Sequence, residues 1–237
     1  MILLSGCSAK KNTPSTRAYH ELSTRYNIYH NAEKTYNEII ETQLNSLSEN
    51  WYSLLPLYPG IQNINKTQTG GPFDIVIDKC VKAIQEHSIT ASPRRDPSKA
   101  QSTEYRQWLK QEEFNPFLKN VWLLMGKAHA QNGDYEIALS VFREIMRIYP
   151  YETDLLSEVQ IWMMRCYTEM KRIYDAENMS VILSSRKLPE NLSRQYTEAY
   201  TNYLLRKKQY SEALPYIVKL INRSEEHTSE LQSHHDL

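Results

Sequence analysis

The sequence predicts an all-α protein whose helical hairpins stack side by side as a short α-solenoid, and three observations carry that prediction. Between Lys119 and Pro150, the residues Trp122, Gly126, Tyr135, Ala138, Phe142 and Pro150 fall at spacings that set small residues where two antiparallel helices cross and large ones beside them. The run Tyr135 to Ala138 recurs as Ile173 to Ala176 and as Tyr210 to Ala213, so the alanine returns after 38 residues and again after 37. The composition, with 17 Tyr against 6 Gly and 41% hydrophobic residues in 237, suits packed helices better than a β-rich or disordered chain.

The first observation fits the tetratricopeptide pattern W-x2-L-G-x2-Y, A-x3-F, P, here Trp122, Met125, Gly126, His129, Ala138, Phe142 and Pro150. Asn115 is placed to cap the leading helix, with Pro116 at its first position, where a missing N–H is harmless. Gly133 marks the turn and Pro150 stops the second helix. Three repeats follow over 104–222, at about 119–152, 157–190 and 194–222. The period exceeds the usual ~34 residues, and the excess falls in the connections near Tyr151 to Leu155 and Ser185 to Leu192, where extra residues cost little loop-closure entropy. Tyr167 and Leu204 take the place of His129, and neither later copy has the Trp–Gly pair.

This register also names a binding surface. Counting Trp122 as position 4, position 9 of each first helix lines the concave groove in repeats of this type, and it holds Lys127, Arg165 and Asn202, with Tyr203 prolonging the track. Two cations and an amide suit an acidic, extended or helical segment of a partner.

In chain order, 1–7 reads as a clipped signal ending in Leu4-Ser5-Gly6-Cys7, a string that resembles the lipobox of bacterial lipoproteins, whose cysteine is acylated. The leader is shorter than a full signal with its roughly 7–15 apolar residues, and the other reading is an ordinary cytosolic start with a chance LSGC. A polar tether spans 8–16. Then 17–48 reads as a degenerate helical hairpin broken at Asn31, with Ser15 or Thr16 as its cap and Tyr19, Leu22, Tyr26 and Tyr29 on one face. Residues 49–103 are linkers around a lone helix at about 73–88, whose face carries Ile77, Cys80, Val81, Ile84 and His87. Helix resumes from Glu104 to Phe114, with Trp108 and Leu109 as buried contacts. The end, 223–237, looks like a translated sequencing adapter and is expected to be inert. Setting it aside removes Arg223 from 28 basic residues and Glu225, Glu226, Glu230 and Asp236 from 28 acidic ones, leaving 27 against 24.

The strings Thr16-Arg17-Ala18-Tyr19-His20, Arg25-Tyr26-Asn27, Leu54-Leu55-Pro56-Leu57-Tyr58-Pro59 and Asn115-Pro116-Phe117-Leu118 running into Trp122 to Lys127 add a family resemblance. From Cys7 to about Asn222 the chain resembles the PorW/SprE-type tetratricopeptide lipoproteins of the type IX secretion and gliding-motility machinery of Bacteroidota. The resemblance implies a non-catalytic scaffold on the periplasmic face of the outer membrane, anchored through Cys7, whose partners are other secretion-system proteins. Members of that family are much longer than this chain.

Catalytic and metal-binding motifs are missing from the sequence: no H-E-x-x-H, paired C-x-x-C, glycine-rich phosphate loop or G-x-S-x-G occurs. No cofactor, metal or small-molecule substrate is expected, and His20, His30, His87 and His129 read as packed or surface residues. Cys80 and Cys166 fall on apolar faces and read as buried thiols, with a disulfide as the alternative. A formal charge of zero gives no bulk attraction to nucleic acid, and Arg94-Arg95 alone is too small a patch for it. Two other functions stay open on sequence: a fragment of a cell-envelope enzyme subunit whose catalytic part lies beyond residue 222, and a cytosolic peptide-binding repeat protein.

Overall fold

In the computed structural model, the residues described are 11–46, 58, 69–99 and 101–233, with side chains described as far as 222. The lipobox with Cys7, the start of the tether and most of the first linker lie outside the described residues, as do 234–237. Helices form the whole architecture, with no strand among the described residues. None of these helices is long and apolar enough to cross a membrane. The chain divides into two compact units, Met1–Ser46 with Thr67–Tyr151, and Leu47–Lys66 with Glu152–Leu237.

The first unit opens on a continuous helical rod: α1 (Pro14–Leu22), a π-helical stretch (Ser23–Tyr29) and α2 (His30–Asn45). Its cap is Thr13, whose hydroxyl accepts the Thr16 N–H at 3.2 Å, so the helix starts inside the expected tether and ahead of Ser15 and Thr16. The expected hairpin over 17–48 is not one. No Gly or Pro interrupts residues 17–45, and the chain passes straight through Asn31, whose side-chain amide donates to the Asn27 carbonyl at 2.8 Å. The wide turn is marked by the His30 N–H bonding to the Arg25 carbonyl and by Thr24, buried, donating its hydroxyl to the His20 carbonyl at 2.6 Å. The expected stripe divides: Tyr19, Leu22 and Tyr26 are exposed, while Tyr29 turns to the core. The inner face carries Ile28, Tyr29, Ala32, Tyr36 and Ile39.

That inner face packs on α3 (Asp74–His87) and α5 (Leu118–Gln131). The helix expected to stand alone at 73–88 is therefore a partner of α5. Its core stripe is Val76, Cys80 and Ala83, with Ile77 and Ile84 beside it, whereas Val81 is exposed. Its first turn is tied to the α5 terminus: the Phe73 N–H donates to Asn132 Oδ1 at 3.0 Å, and Asn132 Nδ2 donates to Asp74 Oδ1 at 2.8 Å. Phe73, fully buried, contributes about 1.5–3 kcal/mol of apolar transfer energy by itself.

Between α3 and α5 the described chain makes a 3-10 turn (Pro97–Lys99) and a short helix, α4 (Thr103–Trp108), and not the expected run to Phe114. Glu113 explains the difference. Its buried carboxylate accepts from Ser88 Oγ (2.5 Å) and from the N–H groups of Ile89 (2.8 Å) and Asn115 (2.7 Å), which pulls the chain out of helix and carries Phe114 inward in place of Leu109. Asn115 does not cap the next helix as expected: its Oδ1 accepts the Phe117 N–H at 3.1 Å, but the cap position is Phe117 and α5 begins at Leu118, two residues after the expected first position Pro116.

Helix α6 (Tyr135–Ile148) folds back on α5. The second unit repeats this arrangement twice, with α7 (Thr153–Glu169) against α8 (Ile173–Ser184) and α9 (Glu190–Arg206) against α10 (Tyr210–Ser233), and with α7 and α9 side by side. Ala138, Ala176 and Ala213 are all fully buried. The three turns share one backbone device. Gly133, Lys171 and Lys208 adopt left-handed φ values of 80°, 59° and 62°. The next N–H, that of Asp134, Arg172 or Gln209, bonds to the carbonyl of His129, Tyr167 or Leu204 at 3.0, 2.8 and 2.9 Å. The last helix continues past the Asn222 boundary to Ser233.

Candidate protein-binding surfaces

The four residues expected to form one track divide between the units: Lys127 belongs to the first, Arg165, Asn202 and Tyr203 to the second. Lys127 is half-buried on α5. Arg165 is sandwiched, its guanidinium carbon 3.5 Å from the Tyr58 ring centroid and 3.9 Å from that of Trp162. Desolvated cation–π contacts of this kind reach about 2 kcal/mol. Burial pushes the Tyr58 hydroxyl up to about 12, with the nearby Arg165 charge pulling the other way.

Asn202 and Tyr203 correct the expectation outright, because each is only 3% exposed. Asn202 Nδ2 donates to Glu169 Oε1 at 2.7 Å, and Arg206 Nη2 donates to Glu169 Oε2 at the same distance. Glu169 is itself buried. Asn202 is therefore committed to a carboxylate on the preceding hairpin, and this bond ties α9 to α7. Tyr203 stacks on Tyr200, and its hydroxyl accepts from Lys207 Nζ at 3.1 Å. Sequence reasoning missed Glu169. The available signal was that its repeat column is polar in every copy, with Gln131, Glu169 and Arg206 at matching positions.

The signature residues occupy structural places. Gly126 faces the buried ring of Phe142, Tyr135 opens α6, Trp122 is half-buried against the core, and Pro150 follows the end of α6. Cys80 and Cys166 are both buried free thiols. Two of the scattered histidines do meet, with His20 Nδ1 and His87 Nδ1 2.8 Å apart. Among the described residues no group of three or more His, Cys, Asp or Glu is placed to hold a metal ion.

Two grooves were not expected. One, of about 540 Å³ in the second unit, is lined by Tyr196, Tyr200, Tyr203 and Tyr216 together with Ser180 and Arg186. Tyr196 and Tyr200 stack 5.8 Å apart, and burial raises the pKa of both hydroxyls above the usual phenol value. The other, of about 750 Å³ in the first unit, has Tyr105, Leu109 and Tyr151 as apolar lining and Arg95, Arg106 and Lys110 as cations. Both lie in the 300–1,000 Å³ range typical of ligand clefts.

No protein-family model matches this chain, and no curated protein matches it.

Proposed function

We propose that this chain is a non-catalytic interaction scaffold of the tetratricopeptide-repeat kind, a PorW/SprE-type lipoprotein component of type IX secretion and gliding motility. In this reading Cys7 carries the acyl anchor, the protein sits on the periplasmic face of the outer membrane, and its partners are other proteins of the secretion system. The observation that supports the repeat reading is the threefold recurrence of one hairpin: a buried alanine on the second helix and a left-handed turn residue, both returning after 38 and then 37 residues. A protein built from such units offers extended outer faces for docking, because each hairpin buries its apolar face on its neighbours.

The test is to express the chain behind a lipoprotein signal leader in a Bacteroidota host that secretes by the type IX route, beside a Cys7→Ala variant. The scaffold reading expects the parent protein to incorporate labelled fatty acid and to cross-link to secretion-system components in intact envelopes, and the variant to lose the label. Equal fractionation of both proteins without label would remove the lipoprotein assignment. Envelope cross-links to metabolic enzymes in place of secretion components would remove the functional one.

A further inference from the structure

The basic groove of the first unit is a built feature and not a chance meeting of side chains. Its wall is the segment Arg95 to Pro97, held to α4 because the Asp96 N–H donates to the Tyr105 hydroxyl at 2.7 Å. Asp96, the one acidic residue among the described lining residues, is occupied with Ser98, accepting its N–H at 3.0 Å and its hydroxyl at 2.7 Å. The floor is braced by an aromatic chain, since Tyr105 stacks on Trp108 at 5.6 Å, Trp108 meets Phe114 edge-on at 5.3 Å, and the Arg17 guanidinium lies over the indole at 5.1 Å.

On this frame Arg95, Arg106 and Lys110 are all exposed around the groove, and Tyr151 is 52% exposed at its rim. The neighbouring carboxylates are engaged elsewhere: Glu112 with Arg147, Glu113 with Ser88, Ile89 and Asn115, and Glu104 with Ser102. Three cations around an apolar floor complement a chain that alternates carboxylates with apolar side chains.

Resting on the scaffold reading, we propose that this groove is the docking site for an extended acidic segment of a partner protein, with its carboxylates on Arg95, Arg106 and Lys110 and an apolar side chain against Tyr105, Leu109 and Tyr151. A nucleic acid is disfavoured by the narrowness of the basic surface and by the zero formal charge of the chain.

The test is fluorescence anisotropy on the full chain with a short labelled peptide in which Glu alternates with Leu. A peptide with Gln in place of Glu and a uridine oligonucleotide serve as comparisons. The Glu peptide should bind, weaken as salt rises, and lose on the order of tenfold to a hundredfold in affinity in the Arg95→Glu/Arg106→Glu/Lys110→Glu variant. Tyr151→Ser should weaken it less, with an unchanged helical circular dichroism spectrum in both variants. Equal affinity for the Gln peptide, undiminished binding by the triple variant, or tighter binding of the oligonucleotide would overturn the assignment. A photo-cross-linker in place of Tyr151, compared with one in place of the exposed Tyr174, separates the two proposals in envelopes. Secretion partners captured only at position 174 would leave the scaffold standing and remove the groove.

Discussion

Gly126 on α5 lies so close to Phe142 on α6 that a single added methyl would run into the phenylalanine ring. The two helices can approach this far only because one residue has no side chain, and the fully buried ring fills the space left beside it. Gly126→Ala should therefore destabilise by about 1–3 kcal/mol, through overpacking that outweighs the better helix propensity of alanine. Urea unfolding followed by circular dichroism measures this. Phe142→Leu placed on top of Gly126→Ala should cost less than the sum of the two single changes, and strict additivity would show that the collision is not the cause.

The three hairpin turns give a second prediction. Gly133 sits at φ 80° with nothing within 4 Å of an added Cβ, so Gly133→Ala tests backbone conformation alone and should cost about 1 kcal/mol. Lys171 and Lys208 hold nearly the same φ while carrying side chains. Lys171→Gly and Lys208→Gly should each raise stability by up to about 1 kcal/mol, the relief of left-handed strain being partly offset by the entropy of a freer unfolded chain. A loss in either would mean that the lysine side chain contributes more than the strain costs.

Glu169 is the third test. Glu169→Ala strands the buried Asn202 amide and leaves Arg206 without its acceptor, which should cost about 2–4 kcal/mol. The value should fall toward the lower end because Arg206 is partly exposed and can turn to water. Glu169→Gln keeps one acceptor for Asn202 and should cost less. As a contrast, Arg147→Ala breaks only the exposed contacts to Glu112 and Glu144 and should change stability by less than about 1 kcal/mol.

Cys80 supplies a pH prediction. Burial pushes its thiol from 9.0 up to about 12, with the Lys79 charge opposing this more weakly. The folded state thus holds this proton more tightly than the unfolded one. The contribution is complete below about pH 9 and is lost as the pH climbs toward about 12. In a Cys7→Ser/Cys166→Ala background, Cys80 should be inert to a thiol reagent at pH 8 until urea unfolds the chain. Its stability should also fall more steeply between pH 9 and 12 than that of the same protein carrying Cys80→Ala. Rapid labelling of the folded protein would show that the thiol is reachable without unfolding.

Much of the helical order was legible because periodicity and turn chemistry are local. The three matching runs Tyr135 to Ala138, Ile173 to Ala176 and Tyr210 to Ala213 each open a second helix, α6, α8 and α10, with the alanine buried one turn in. The same local reasoning failed at Asn31, where polar residues resembled a hairpin turn but a π-helical stretch let the rod run on. It failed again at Glu104 to Phe114, where a helix-compatible string is overruled by the carboxylate of Glu113 reaching back to Ser88 and Ile89.

The candidate site was less legible, for a reason the position-9 column makes plain. Lys127, Arg165 and Asn202 have matching places in the register, yet one is half-buried, one is stacked between two aromatic rings and one is buried on a carboxylate. Register sets the direction in which a side chain leaves its helix, and it says nothing of what waits there.

By itself, then, the sequence determined the all-helical class, the turn at Gly133 and the small residue at the Gly126–Phe142 crossing, because these depend on spacing along one or two neighbouring helices. Only the tertiary structure decided which polar residues are free and which are consumed, and it alone gathered Arg95, Arg106, Lys110 and Tyr151 around one groove. The physical reason is that a charge's availability depends on partners distant in sequence. Asn202 finds Glu169 across 33 residues and Arg147 finds Glu112 across 35, and a residue's place in its own helix does not name such a partner.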